Sequence, residues 1–279
     1  PTELTFNLPQ FGEPTKIDID EHTHSEFPKL IAALQVGSHV FLSGPPGTGK
    51  SYMAQQAAGV LDLEFYVRSF NGQVMSHEIF GYKDAHGNYH SSDFQRAYAE
   101  GGVYVADEFD NCSANLATGI NQALAGDRAT FADAIVERHA NFRFIACGNT
   151  TGTGANSSHV GTNRLNMATL DRLVRLHIDP DLSMEMDIAV ASKGDLEEDT
   201  VKSIVTSVQR ARERALNDRI PDSGCGNRMI LDTVKLLQTG VWELPEIIRS
   251  KTTMTEQHLA RAFQGTPIAS ELKLETIEE

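Results

Sequence analysis

Eight consecutive residues constrain this chain more than any other feature. Gly44-Pro45-Pro46-Gly47-Thr48-Gly49-Lys50-Ser51 places two glycines around four residues and follows the second with Lys-Ser, the pattern of a phosphate-binding loop. The apolar run His39 to Ser43 enters it, and a helical stretch carrying Met53, Ala57 and Val60 leaves it. A strand, a glycine-rich turn and a helix in that order aim backbone N–H groups and a helix N-terminus at anionic oxygens. Lys50 is expected to reach the β- and γ-phosphates of a nucleoside triphosphate, and Ser51 to hold Mg²⁺ through its hydroxyl. Tyr52, the next residue, is grouped with the loop as part of the cofactor-binding stretch.

The same alternation continues along the chain. His39 to Ser43, Glu64 to Arg68, Val103 to Ala106, Phe142 to Cys147 and Leu173 to Ile178 read as buried strands separated by helical stretches, which implies a parallel sheet covered by helices. Before them, Leu4, Phe6 and Leu8 alternate, Ile17 and Ile19 repeat the period after a Gly12-Pro14 turn, and a short hairpin is expected; Phe27, Leu30, Ile31 and Leu34 follow at helical spacing. After Asp179-Pro180-Asp181 the pattern becomes helical. Val201, Ile204, Val205, Val208 and Ala215 form one stripe, and Ile230, Val234 and Leu237 another. The expected fold is therefore an α/β P-loop NTPase parallel sheet over 1–180, with a smaller all-helical domain over 181–279.

Composition narrows the function. A chain of 279 residues with 40% hydrophobic residues can bury a substantial core. Its net charge of -14 argues against a surface that embraces nucleic acid. Cys112, Cys147 and Cys225 are odd in number and widely spaced, which points to a reduced, cytoplasmic protein with three inert thiols. PTELTFNLPQ lacks the regions of a signal peptide, no apolar run has the length of a membrane span, and Pro1 fits removal of an initiator Met. The ten histidines show no metal-ligand spacing, and His22 and His24 read as solvated loop residues.

Two further segments carry chemistry. Val103-Tyr104-Val105-Ala106 runs into Asp107-Glu108, placing two carboxylates at the carboxyl end of a buried strand, where ligands of open α/β sheets bind. Asp107 would orient Mg²⁺, and Glu108 would polarise the attacking water; the role of Asp110 stays open. The strand Phe142 to Cys147 ends at Gly148-Asn149. Asn149 is either a carboxamide beside the γ-phosphate, if its strand lies between the other two, or a turn former before Thr150-Thr151-Gly152.

Taken in order, these residues resemble the AAA+ ATPases, and within them the MoxR and cobaltochelatase ATPase-subunit (CobS-like) branch of the group that includes dynein motor modules. The resemblance runs from about Thr23 to Leu237. Gly44 to Ser51 looks like Walker A, Val103 to Glu108 like Walker B, Asn149 like sensor 1, and Arg228 in Gly226-Asn227-Arg228 like the sensor 2 arginine of a helical lid. The segment from Gly161 to Arg172 is similar to the one bearing the arginine finger of cobaltochelatase, with Arg172 in that position and Arg164 a second candidate. A surface pair with Asp171 is the plainer reading of Arg172. Insertions near 79–92 and 128–140 look like the family's pore-facing hairpins; the first carries Tyr82 and Tyr89, which would otherwise cover core. The resemblance implies a hexameric ring that hydrolyses ATP with Mg²⁺ to remodel a partner protein, typically one with a von Willebrand A-type domain, with no membrane association. Two other readings are a helicase-type motor on nucleic acid, against which the net charge weighs, and a nucleotide-gated assembly factor, for which Glu108 would be superfluous.

Overall fold

The computed structural model describes residues 2–6, 15–19, 23–150, 165–220 and 223–273, with backbone alone for the first two segments. The chain divides into two compact units, 1–45 with 49–179, and 46–48 with 180–279.

The first unit opens with an antiparallel pair, β1 (Thr2–Phe6) and β2 (Thr15–Ile19), in register Leu4 with Ile17. Leu8 and the Gly12-Pro14 turn expected between them lie outside the described residues. Next come α1 (Phe27–Gln35), β3 (His39–Ser43), α2 (Lys50–Val60) and β4 (Phe65–Ser69). They are followed by α3 (Ser76–Phe80), the short hairpin β5 (Tyr82–Lys83) and β6 (Tyr89–His90), α4 (Asp93–Glu100) and β7 (Gly102–Asp107). A 3-10 turn at Phe109–Asn111 leads into α5 (Ala114–Ala125), a second hairpin of β8 (Arg128–Thr130) and β9 (Ile135–Glu137), β10 (Phe142–Gly148), α6 (Met167–Leu170) and β11 (Leu173–His177).

Five of these strands form one parallel sheet in the order β11-β3-β10-β7-β4. Successive side chains point to opposite faces, so each central strand feeds two cores. Val40, Leu42, Val103, Val105, Ile145 and Cys147 pack with Phe27, Leu30, Ile31 and Leu34 of α1 and with Met53, Ala54, Ala57 and Ala58 of α2. Phe41, Tyr104, Ala106, Phe144 and Ala146 face the other way, into a core built on Phe94 and Tyr98 of α4 and on Leu116 and Ile120 of α5. Phe94 is its hub, with rings of Tyr98, Tyr104, Phe131, Phe142 and Phe144 around it at centroid distances of 5.1 to 6.4 Å.

Two of the five strands differ from the buried strands the apolar runs predict. β4 and β11 are the sheet edges and have a neighbour on one side only, so Val67 and Val174 stand 49% and 42% exposed. His24 also departs from expectation. It is buried at 4%, with Nδ1 accepting from the Glu26 N–H at 3.0 Å and Nε2 at 2.8 Å from the Asp179 carbonyl, because it lies where the start of α1 meets the end of the sheet. His22 lies outside the described residues.

The regular elements described in the second unit are all helices: α7 (Leu182–Ala191), α8 (Glu198–Asn217), α9 (Asn227–Leu237), α10 (Leu244–Lys251) and α11 (Glu256–Phe263). The α8 stripe of Val201, Ile204, Val205, Val208, Ala211 and Ala215 is fully buried, joined by Ile230 and Val234 of α9 and by Leu259 and Phe263 of α11. Among the described residues no helix is long and apolar enough to cross a membrane.

Candidate functional site

The carboxyl edge of the central strands gathers the polar residues. β3 leaves the sheet at Ser43, and Gly44, Gly47 and Gly49 then take φ values of 155°, 83° and 82°, turns that a side chain would oppose. Pro45 and Pro46 are exposed while Thr48 is buried. Gly49 is the N-cap of α2 and has no side chain with which to cap it, which keeps the first-turn N–H groups available to an anion.

Lys50, only 7% exposed, donates to Gly44 O at 2.8 Å, Pro45 O at 2.9 Å and Asn149 Oδ1 at 3.2 Å. Its three N–H donors are thus directed at neutral oxygens. Burial holds the ammonium below the usual lysine range, opposed by Cys147, Asp107 and Asp110 nearby. The next side chain, Ser51, donates its hydroxyl to Asp107 Oδ2 at 2.8 Å and so ties the loop to the end of β7. A hydroxyl and a carboxylate in contact are hard oxygen donors of the kind Mg²⁺ accepts, and few are required, since this ion keeps waters and phosphate oxygens as its other ligands. The residues fit that ion. Tyr52 is exposed, at 51%.

Glu108, next after Asp107, has φ 54°, the left-handed region that costs a non-glycine residue about 1 kcal/mol. Its carboxylate accepts from Ser69 Oγ at 2.9 Å, and its N–H donates to Asp107 Oδ1 at 3.0 Å. Ser69 is the last residue of β4, directly opposite Asp107 in the register. The sequence reading did not include it. The signal available was a hydroxyl at the carboxyl end of a strand, and the pairing of β4 with β7 is what gives that signal meaning.

β10 does lie between β3 and β7, the condition attached to Asn149. Asp110, left open from the sequence, is fully buried and accepts from the backbone N–H groups of Asn149 and Thr150.

Arg172 stands elsewhere in the first unit. Arg172 is exposed just before β11, and its guanidinium donates to the carbonyl of Ala168; among the described residues it forms no ion pair, with Asp171 or otherwise. Leu173 pairs with His39, at the amino end of β3, whereas the loop leaves β3 at its carboxyl end. Five residues of strand at roughly 3.3 Å each put about 13 Å of sheet between those levels. Arg228, exposed in the first turn of α9, belongs to the second unit. Arg164 lies outside the described residues.

The three thiols are free and buried, with Cys112 pushed up to about 12 and Cys225 to about 11 by burial, so neither is nucleophilic near neutral pH. The described residues contain no cluster of three or more His, Cys, Asp or Glu able to hold a metal.

Residues 39–173 match the family model described as AAA domain (dynein-related subfamily). No curated protein matches the sequence. Among solved structures, NtrX from Brucella abortus is 16% identical, with 77% of this chain and 49% of that one covered and a TM-score of 0.55. The same protein in complex with ATP is 15% identical over 80% and 54%, also at 0.55. A point mutant of RuvB from Thermotoga maritima is 14% identical over 90% and 71%, at 0.51. The chain spans about half the length of NtrX. Identities this low speak for the fold alone: a five-stranded parallel sheet flanked by helices, of the AAA+ P-loop NTPase kind, with a helical C-terminal part.

Proposed function

We propose that this chain, whose residues 39–173 match an AAA domain model and whose sheet has the AAA+ order, is a Mg²⁺-dependent ATPase of the MoxR and cobaltochelatase-type branch, working as a hexameric ring that remodels a partner protein. The observation that carries the hydrolytic part is the meeting of Lys50, Ser51, Asp107 and Asn149 at one edge of three adjacent strands. Each has a separate task. The loop's N–H groups and Lys50 hold the phosphate chain; phosphate oxygens replace the neutral carbonyls that Lys50 now faces. Ser51 and Asp107 would hold Mg²⁺, which when bound neutralises charge on the phosphates. Glu108 accepts the proton of the attacking water at its free carboxylate oxygen, while Ser69 holds the other oxygen.

The ring is supported by Arg172. An exposed cation at the opposite end of the sheet from its own phosphate loop suits a neighbour's γ-phosphate rather than its own. Remodelling is supported by the first hairpin, where Tyr82 is 46% exposed and stacks on His90 at 4.9 Å. Tyr89 is different: half-buried, it donates its hydroxyl to Gln95 and anchors the hairpin. A partner with a von Willebrand A-type domain is proposed on the resemblance alone. A nucleic-acid track is disfavoured by the net charge of -14.

ATP affinity and turnover measured on two variants test the site. Lys50→Ala is expected to lose nucleotide binding, and Glu108→Gln to keep it while turnover falls by roughly 10²- to 10⁴-fold. Normal turnover in Glu108→Gln would remove the assignment of the base.

A further inference from the structure

We propose that Asp110 is a positioning residue for Asn149, the group that fixes the carboxamide at the γ-phosphate; this rests on the reading of the sheet edge as an ATP-hydrolysing site. Asp110 sits in the 3-10 turn that follows β7, and its side chain has no exposure at all. A carboxylate so deep needs hydrogen bonds in place of water. One oxygen supplies all of them. Oδ2 accepts from the N–H of Asn149 at 2.9 Å, the N–H of Thr150 at 3.0 Å and Thr150 Oγ1 at 3.1 Å. These three bonds fasten the two residues just past β10 to the turn just past β7, across two strands that are neighbours in the sheet.

Gly148 leaves room for this approach, because a Cβ there would stand 3.2 Å from Asp110 Cγ and 3.0 Å from the Phe41 ring. Among the described residues the other oxygen, Oδ1, is buried with no hydrogen-bond partner. A group kept for stability alone would not leave a buried charged oxygen unused, since that costs more than an apolar replacement. The clamp therefore serves what it holds. Asn149 is gripped through its backbone by Asp110, while its side-chain Oδ1 accepts from Lys50 Nζ. Without the clamp, β10 keeps its ladder only as far as Gly148, opposite Ser43, and the carboxamide loses its fixed origin. Displacements on the order of 1 Å at such a group lower rates steeply.

Asp110 also lies near enough to Lys50 to offset part of its burial, so a direct effect of its charge on phosphate binding is the competing account. Asp110→Asn separates the two, for it keeps an acceptor in the place of Oδ2 and removes the charge. The experiment measures turnover at saturating ATP, together with affinities for ADP and AMP-PNP, in Asp110→Asn, Asp110→Ala, Asn149→Ala and the double variant Asp110→Ala/Asn149→Ala. Asp110→Ala is expected to lower kcat about tenfold or more, as Asn149→Ala does, with ADP affinity held within about threefold. The double variant should be no slower than Asn149→Ala, because Asp110 acts through that residue, and Asp110→Asn should recover most of the turnover.

Losses that multiply in the double variant overturn the proposal. So does an Asp110→Asn protein as slow as Asp110→Ala with weakened ADP binding, which would assign the effect to charge. If Asp110→Ala does not fold, Asp110→Ser, too short to accept all three bonds, takes its place in the cycle. A wild-type protein that binds ATP without hydrolysing it would overturn the ATPase reading alone. The ratio of AMP-PNP to ADP affinity then decides: Asp110→Ala is expected to lower it as far as Asn149→Ala does, and an unchanged ratio overturns the clamp.

Discussion

Lys50 in the first unit and Glu185 in the second are both nearly inaccessible, at 7% and 2% exposure, yet their partners differ in kind. Glu185 is closed by charge: Arg212 meets its two oxygens at 2.7 and 2.8 Å, and Gln209 adds a third donor at 3.1 Å. Lys50 donates its hydrogen bonds to neutral acceptors, with the carboxylates of Asp107 and Asp110 nearby but not bonded to it. A buried ion whose charge is matched has its interactions complete, whereas one held by carbonyls and a carboxamide has favourable electrostatics still to gain from an anion. The contrast separates a charge that organises a helical core from one assigned to a ligand.

The largest expected effect extends the contrast to a third charge. Arg172 also lacks an anionic partner among the described residues, being bonded only to the carbonyl of Ala168. On the trans reading, Arg172→Ala lowers turnover by about 10³- to 10⁵-fold, with nucleotide affinity and melting temperature unchanged. Mixing Arg172→Ala with Glu108→Gln subunits, once exchange has been demonstrated, restores part of the activity. If exchange occurs and no activity returns, Arg172 leaves the list of functional cations.

Second in size is a stability difference. Arg212→Ala strands the Glu185 carboxylate and should cost about 3–5 kcal/mol in denaturant unfolding, whereas Lys50→Ala removes an incompletely compensated ion and should fall within about 1 kcal/mol of wild type. The contrast breaks if Lys50→Ala unfolds the protein or Arg212→Ala is silent.

The smallest effect concerns a buried base kept neutral. Burial, helped by the cations Arg138 and Arg143, lowers His39 to about 4, against 6.5 for an unperturbed imidazole. The unfolded chain therefore takes up the proton first as pH falls. The stabilisation is fully present above pH 6.5 and is lost on acidification towards pH 4, by at most about 3 kcal/mol. Urea unfolding of wild type and His39→Gln at pH 7 and pH 4.5 should show a shallower pH dependence in the variant. Equal slopes would mean that His39 does not titrate across that window.

Much of this site was legible because its signals are local. The phosphate loop announces itself in eight residues with a strand before and a helix after, and the five apolar runs fall within a residue of the observed strands. The α8 stripe is equally plain. What the sequence withheld depends on which strands lie side by side. Ser69 and Glu108 are 39 residues apart, and Asp110 and Thr150 are separated by 40, so only the order β3-β10-β7-β4 brings them into contact. His24 needed the location of Asp179, at a separation of 155 residues, to become a core residue rather than a loop one. Tyr82 and Tyr89 look alike in an aromatic turn, and the position of Gln95 on α4 is what makes one an anchor and leaves the other outward.

The left-handed backbone at Glu108 bears on how this position would drift. Glycine would adopt φ 54° without steric cost, and a lineage selected for thermal endurance alone would be drawn towards it, with a gain of about 1 kcal/mol. The same replacement deletes the carboxylate assigned to the water. On the proposed reading, stability and turnover therefore pull this position in opposite directions, and a Glu108→Gly protein would be inactive and hardier at once.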